Sequence, residues 1–359
     1  MAFDRDQSFC DILFLREARD SSALAYRFLA ENNSEALDIT VAELSGRVKS
    51  IAASLQSRNL LGERVLLAFD HGPEFIYAFY ACLAVGALAV PVPPPSRNKS
   101  NFRLDFVLQD AKPKLVLTNK ALVDVFLNKI EFSETKQFEV LALNDLSVNA
   151  SDYVPVEVKR DDIAFLQYTS GSTGEPKGVM ISHKNLRHNS RLIAKAYDTN
   201  ECSSAVIWLP FYHDMGLIGG VLQSMYANTA VHLMSPVSFL QHPIRWLQAM
   251  SDARATIAVV PDFALELCCN KVSEEQLLQL DLSNLHCVLC GADPVKAKTL
   301  KRFSEMFARC GFRYQAFMPS YGLAEATLYV SGSMSESAGA TVLSLSSSAL
   351  AKRRVEDAD

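Results

Sequence analysis

The segment Tyr168-Thr-Ser-Gly-Ser-Thr-Gly-Glu-Pro-Lys-Gly178 brings four hydroxyls, two mid-loop glycines and a lysine into eleven residues. Thr169, Ser170, Ser172 and Thr173 offer neutral donors, and Lys177 adds a positive charge. Gly171 and Gly174 permit backbone geometries that other residues resist, and successive N–H groups in such a loop can form an anion-binding concavity. This chemistry suits a polyphosphate. The pattern is not the G-x-x-x-x-G-K-[ST] phosphate loop that opens a helix. Composition alone leaves a plainer reading open, a Ser/Gly-rich turn between two strands. A second pattern, Cys287-x-x-Cys290, has no second pair nearby. Structural zinc needs four ligands, so the eight irregularly spaced cysteines are expected to be reduced, mostly buried thiols.

The elements that must position this loop alternate between short apolar strands and amphipathic helices. Strands are expected at 65–69, 87–92, 114–118, 139–143, 163–168, 205–209, 230–234, 256–260 and 284–289. Helices are expected at 41–58, 185–197, 215–227, 243–253 and 294–310. Continuous apolar strands fit a parallel sheet covered on both faces, so the fold class is α/β. From Phe75 to Ser96 there is no charged residue, which is long enough for a membrane span on count alone. Gly86, Pro91 and Pro93–Pro95 interrupt it, so a buried helix over 74–85 and a buried strand over 87–92 are expected instead. The chain has 359 residues, 49% hydrophobic and 21% charged, with a net charge of −5. Those values are ordinary for a globular protein and leave no basic footprint for nucleic acid. The first residues carry acids where a signal peptide has bases, which points to the cytoplasm.

The motif Ser170-Gly-Ser-Thr-Gly-Glu-Pro-Lys-Gly178 resembles the phosphate-loop signature of the adenylate-forming superfamily, and three further motifs follow in that family's order. Trp208-Leu-Pro-Phe-Tyr-His-Asp-Met-Gly-Leu217 is similar to its acyl-pocket motif, and Gly291-Ala-Asp-Pro294 to its adenine-side loop. Tyr321-Gly-Leu-Ala-Glu-Ala-Thr327 is similar to the motif that supplies an adenine-contacting tyrosine and a magnesium-linked glutamate. The resemblance implies the large N-terminal part of the adenylate-forming fold, with mostly parallel sheets covered by helices. It implies ATP and Mg²⁺ as cofactors, with Thr169, Ser170, Gly171, Ser172, Thr173, Gly174 and Lys177 holding the phosphates. Gly291, Ala292, Asp293 and Pro294 would line the base and Tyr321 would pack on it, with Gly322, Leu323 and Ala324 also among the ATP- and AMP-binding residues. Glu325 would orient Mg²⁺, which typically binds one or two carboxylates plus phosphates. His213, Lys177 and Glu325 would be the catalytic residues, with His213 where the substrate carboxylate meets the α-phosphate.

Within the superfamily, 163–171 and 211–219 are most like fatty acyl-AMP ligases, which activate a fatty acid and pass the acyl group to an acyl carrier protein. Phe211, His213, Met215, Ile218, Phe239 and Phe263 would then line an apolar acyl pocket. Asp214 keeps an amino-acid-activating function open, since such relatives place an ammonium-binding aspartate nearby. An acyl-CoA synthetase stays open too, as does a nucleotide- or acyl-binding module without turnover. The resemblance divides the chain into an AMP-binding part over 1–330 and a serine-rich tail over 331–359, where the subfamily carries an insertion. The family's ribose-binding aspartate and lysine-bearing C-terminal domain have no counterpart in this sequence. The expectation is therefore a chain that binds nucleotide and acyl group but reacts slowly.

Overall fold

Runs such as Leu115–Thr118 and Ile257–Val260 are buried at every residue, as strands covered on both faces must be. The computed structural model describes residues 8–31, 35–95, 102–131, 138–146, 148–169, 176–333 and 339–358. Among them the strands are β1 (Leu24–Phe28), β2 (Leu37–Thr40), β3 (Arg64–Ala68), β4 (Leu88–Val92) and β5 (Leu115–Thr118). They continue with β6 (Glu139–Ala142), β7 (Ile163–Thr169), β8 (Lys177–Ser182), β9 (Ser204–Ile207) and β10 (Ala230–Leu233). The last are β11 (Ile257–Val260), β12 (Cys287–Cys290), β13 (Phe317–Gly322) and β14 (Tyr329–Gly332).

Two sheets result. One has six strands in the order β6-β5-β3-β4-β7-β8, the other eight in the order β14-β13-β12-β11-β9-β10-β1-β2. Pairing is parallel except at three edge strands: β8 runs antiparallel to β7, β14 to β13 and β2 to β1. This is the mostly parallel α/β architecture expected from the alternation. Strand β3 shows why both faces need helices. Val65 and Leu67 join the main core, where helix Pro73–Ala84 is buried against helix Val41–Gln56, while Leu66 and Ala68 pack with Leu104, Val107 and Phe126. The uncharged stretch from Phe75 therefore becomes a buried helix and a buried strand, Pro73–Ala84 and Leu88–Val92. Among the described residues no helix is long and apolar enough to cross a membrane.

Three elements differ from expectation. The helix expected over 215–227 is divided into a turn at Asp214–Gly216, a π-helical stretch at Leu217–Leu222 and a final α turn at Gln223–Ala227. Its glycines press against β9 and the loop after it: a side chain on Gly216 would meet the Pro210 carbonyl at 2.2 Å, and one on Gly220 would meet Ile207 at 3.0 Å. The strand expected over 284–289 starts later, at Cys287, because Leu285 N–H turns back onto the Leu282 carbonyl, while Leu282 N–H is held by the Cys310 carbonyl. The helix expected over 294–310 is shorter, Ala297–Phe307, and ends in a 3₁₀ turn closed by Gly311. All eight cysteines are free and only Cys202 is exposed. Burial pushes the Cys287 and Cys290 thiols up to about 12, and no metal-holding cluster of His, Cys, Asp and Glu exists among the described residues. In the serine-rich tail, Ser347–Leu350 forms a short helix and Leu345 bridges to Asp357, while Ser335 and Ser337 lie outside the described residues.

Helix Val41–Gln56 begins in a capping box. Glu43 N–H donates to Thr40 Oγ1 at 3.2 Å and Thr40 N–H donates to Glu43 Oε2 at 2.8 Å. Thr40→Ala should lower unfolding stability by about 1 kcal/mol, read by urea denaturation, with ligand affinity unchanged because Thr40 closes an edge strand far from the cavity described below. An unchanged midpoint would show that the cap contributes nothing to the folded state.

Candidate active site

The carboxyl ends of β7, β12 and β13 open onto one cavity of about 510 Å³. Open parallel sheets place ligands at this edge of their strands. Thr169 arrives from the six-stranded sheet, whereas Gly291, Tyr321 and Gly322 arrive from the eight-stranded one. The inner wall is apolar, built from Val259 on β11, Leu289 on β12, Ile193 and Gly219. The rim carries Thr169, His213, Asp214, Tyr321 and Glu325.

Helix His183–Tyr197 forms one side of the cavity. Its start is fixed by a capping box in which Asn185 N–H donates to Ser182 Oγ and Ser182 N–H to Asn185 Oδ1. Asn189, Ile193 and Tyr197 recur every four residues and so share one face. Asn189 Nδ2 donates to the carbonyls of Ala326 at 3.2 Å and Tyr329 at 2.9 Å, and its Oδ1 accepts from Tyr329 N–H at 3.0 Å. The turn held in this way carries Glu325. Ser320 Oγ donates its single proton to the Met318 carbonyl at 2.9 Å, so the 2.7 Å contact with Tyr197 has the tyrosine hydroxyl as donor. Burial pushes the Tyr197 phenol upward and keeps it a donor at neutral pH.

Two glycines let the walls close up. A side chain on Gly291 would meet the Ser320 carbonyl at 2.5 Å, and one on Gly322 the Leu328 carbonyl at 2.1 Å. Leu323 N–H donates to that same Leu328 carbonyl at 2.9 Å, which draws residues 322–328 into a tight loop. Within it the buried Thr327 has φ +75°, a conformation that β-branched residues rarely adopt, and Ala292 beside Gly291 has φ +68°.

His213 is half-exposed at the cavity mouth, held by its N–H to the Pro210 carbonyl at 3.1 Å. Its Nδ1 lies 2.9 Å from Asp214 Oδ1, and the Met215 N–H lies 2.7 Å from that oxygen but 3.3 Å from Nδ1. The shorter contact takes the Met215 proton, so Nδ1 carries its own proton toward Asp214 and Nε2 is left to meet a ligand. The hydrogen bond that the ring donates to Asp214 raises the imidazole above its ordinary 6.5 and favours the cation.

Of the expected site residues, Thr169, His213, Met215, Gly291, Ala292, Tyr321, Gly322, Leu323, Ala324 and Glu325 line this cavity. Ser170, Gly171, Ser172, Thr173 and Gly174 lie outside the described residues. Lys177 is exposed at the start of β8, in register with Thr169. Asp293 and Pro294 are exposed just beyond Ala292 and do not line the cavity. Four residues expected in the acyl pocket sit elsewhere. Phe211 packs on His71 with ring centres 4.5 Å apart, Phe239 stacks on Trp208 at 3.9 Å, and Ile218 is fully buried in the π-helical stretch. Phe263 is 44% exposed, edge-on to Trp208. Each is accounted for by packing around the site. Asn189, Ile193, Tyr197, Ser320, Val259 and Leu289 were not expected at the site, although the four-residue spacing along 189–197 marks one helix face.

The electrostatics of His213 can be tested. Its folded pKa is raised, so the stability contributed by the Asp214 pairing is fully present below the unfolded value of 6.5 and is lost as pH rises through the folded value. An NMR titration should place the His213 imidazole above 6.5, and Asp214→Asn should bring it down. A midpoint at or below the ordinary value in the unchanged chain would contradict the pairing.

The AMP-binding enzyme family matches residues 15–347. The medium-chain-fatty-acid–[acyl-carrier-protein] ligase JamA of Moorena producens is 38% identical over 351 residues, covering 96% of this chain and 59% of that relative. The long-chain-fatty-acid–AMP ligase FadD23 of Mycobacterium tuberculosis is 37% identical over 315 residues, covering 84% of this chain and 54% of that relative. Two solved structures from Legionella pneumophila superpose closely. The fatty acid AMP ligase has a TM-score of 0.91 at 37% identity and covers 98% of this chain and 61% of that one. The fatty acyl-adenylate ligase in complex with acyl adenylate and pyrophosphate has a TM-score of 0.90 at 38% identity, with the same coverage of 98% and 61%. The chain thus spans a little over half the length of the curated relatives it matches. Motifs, sheet order and these similarities agree, and the chain belongs to the AMP-binding enzyme family, with fatty acid–AMP ligases among its relatives.

Proposed function

We propose that the chain binds ATP and a fatty acid in this one cavity and joins them as a fatty acyl-AMP, destined for an acyl carrier protein. The observation that carries the reading is the single cavity whose polar rim passes into an apolar inner wall of Ile193, Val259 and Leu289. A nucleotide suits the rim and a hydrocarbon chain suits the wall. A carboxylate oxygen would attack the α-phosphorus of ATP in line, forming the acyl–phosphate bond as the bond to pyrophosphate breaks. Residues 169–174 and Lys177 would hold the phosphates, while Tyr321 and residues 291–294 would hold the base. The His213 imidazolium, with Nδ1 committed to Asp214, would donate from Nε2 to the negative charge that builds between the two substrates.

Glu325 stands on the cavity wall with no hydrogen bond or ion pair among the described residues. A lone carboxylate fits Mg²⁺ held largely by phosphates and water, and it would supply charge neutralisation at those phosphates. The fatty acid reading is favoured over an amino acid because Asp214 Oδ1 is already committed to Met215 and His213. The carrier-protein acceptor is supported by the names of the Moorena relative and of TtuA from Teredinibacter turnerae, both acyl-carrier-protein ligases.

Lys177→Ala should weaken binding of a non-hydrolysable Mg-ATP analogue in calorimetric titration while leaving the melting temperature unchanged. A fatty acyl-AMP should raise the melting temperature more than an aminoacyl-AMP does, since ligands of the folded form stabilise by mass action. Fatty-acid-dependent release of pyrophosphate from ATP is the activity readout. A larger shift with the aminoacyl-AMP, lost in Asp214→Ala, would overturn the choice of substrate.

A further inference from the structure

Behind the main cavity lies a second chamber of about 30 Å³, and the two share Ile193, Gly219, Val259 and Leu289 in their walls. Its size is roughly that of one water molecule or one terminal carbon group. Gly219, in the π-helical stretch, stands on the shared wall, and a side chain added there would come within 3.2 Å of Leu328. An alkyl chain following the apolar wall inward would end there.

The lining of this chamber also includes the polar Thr199, Gln223, Ser224 and Thr229. Most of its hydrogen-bonding groups are committed. Ser224 Oγ donates to the Val221 carbonyl at 2.8 Å and Thr229 Oγ1 to the Asn200 carbonyl at 3.0 Å. Gln223 Nε2 donates to the Ser190 carbonyl at 3.3 Å and to Thr199 Oγ1 at 3.2 Å. Gln223 Oε1 is the exception: the side chain is 95% buried and this oxygen meets no donor among the described residues. Exchanging the amide ends would set that oxygen against the Ser190 carbonyl, acceptor to acceptor, so the orientation is fixed by its neighbour. Buried acceptors are nearly always paired with a donor, from protein, water or ligand.

We infer that Gln223 selects acyl chains whose far end carries a hydrogen-bond donor, a hydroxyl on or beside the last carbon. The inference rests on the fatty acyl-AMP reading of the main cavity and adds the chemistry of the substrate's tail. A plain methyl end would leave Oε1 unmet, whereas a hydroxyl reaching the chamber would donate to it. A hydroxyl in a purely apolar tunnel would instead weaken binding, so the sign of the effect decides the matter.

The test uses non-hydrolysable acyl-sulfamoyl adenosines in a series of chain lengths, each with a plain or a hydroxylated end, titrated calorimetrically into the full chain. At the length that reaches the chamber, the hydroxylated compound should bind roughly five- to tenfold tighter than the plain one. Gln223→Met removes the acceptor and should abolish that preference. Plain chains binding as tightly as hydroxylated ones, or more tightly, at every length in the unchanged chain would overturn the inference and leave the fatty acyl-AMP reading standing. That comparison needs no variant. Binding of neither series would remove the acyl-AMP reading, and this inference with it.

Discussion

The site depends on one buried amide. Helix His183–Tyr197 grows directly out of β8 in the six-stranded sheet, and Asn189 on that helix grips the β13–β14 connection of the eight-stranded sheet through both of its ends. Tyr197 repeats the tie two turns later through Ser320. The connection they hold includes Glu325 and the strained Thr327. Backbone strain persists where surrounding contacts over-determine it, and three hydrogen bonds from one side chain supply that constraint. Removing such a partner leaves buried carbonyl and N–H groups unmet, a loss of about 1–3 kcal/mol each.

From this frame the chemistry separates by depth. Charged and hydroxyl groups stay at the carboxyl ends of strands, where backbone N–H groups and loops are free to meet a ligand. The interiors of β11 and β12 contribute aliphatic side chains, Val259 and Leu289, to the same cavity. Glycines at 291 and 322 allow the two walls to approach until backbone meets backbone. His213 sits where the two regimes meet, and Asp214 both orients the ring and favours its charged form. A single fold edge therefore sets an imidazole that favours its cationic form beside an aliphatic wall.

Much of this was legible in the sequence. Continuous apolar runs identified most parallel strands, because burial on both faces leaves no room for alternation. Motif residues at 291–292 and 321–325 reached the cavity because their backbone positions, rather than their bulk, define it. The strands that do not stand out in the sequence have physical reasons. Strands β1 and β2 carry the paired Arg27 and Asp38, and β13 contains Pro319 and Gly322, so neither region reads as apolar. Large aromatics looked like an acyl pocket, yet Phe239 and Phe211 pack on Trp208 and His71. Hydrophobicity reports burial and cannot say whether the neighbour is protein or ligand. The cavity wall instead uses Ile193, Val259 and Leu289, whose role appears only when helix and strands are set side by side. The division of 215–227 into α and π segments depends on contacts with Pro210 and Ile207 that no local pattern carries.

On the proposed function, nucleotide and acyl chain occupy one continuous cavity between the two sheets. Calorimetric titration with AMP, with a fatty acid and with the covalently joined, non-hydrolysable acyl-AMP mimic tests it most directly. Joining two groups that bind adjacent parts of one site makes the second contact intramolecular, so the joined compound should bind about a hundredfold or more tighter than either part alone. Leu289→Asp should reduce that advantage while leaving AMP affinity nearly unchanged. A joined compound no tighter than AMP, with the free fatty acid binding independently of it, would contradict a shared cavity.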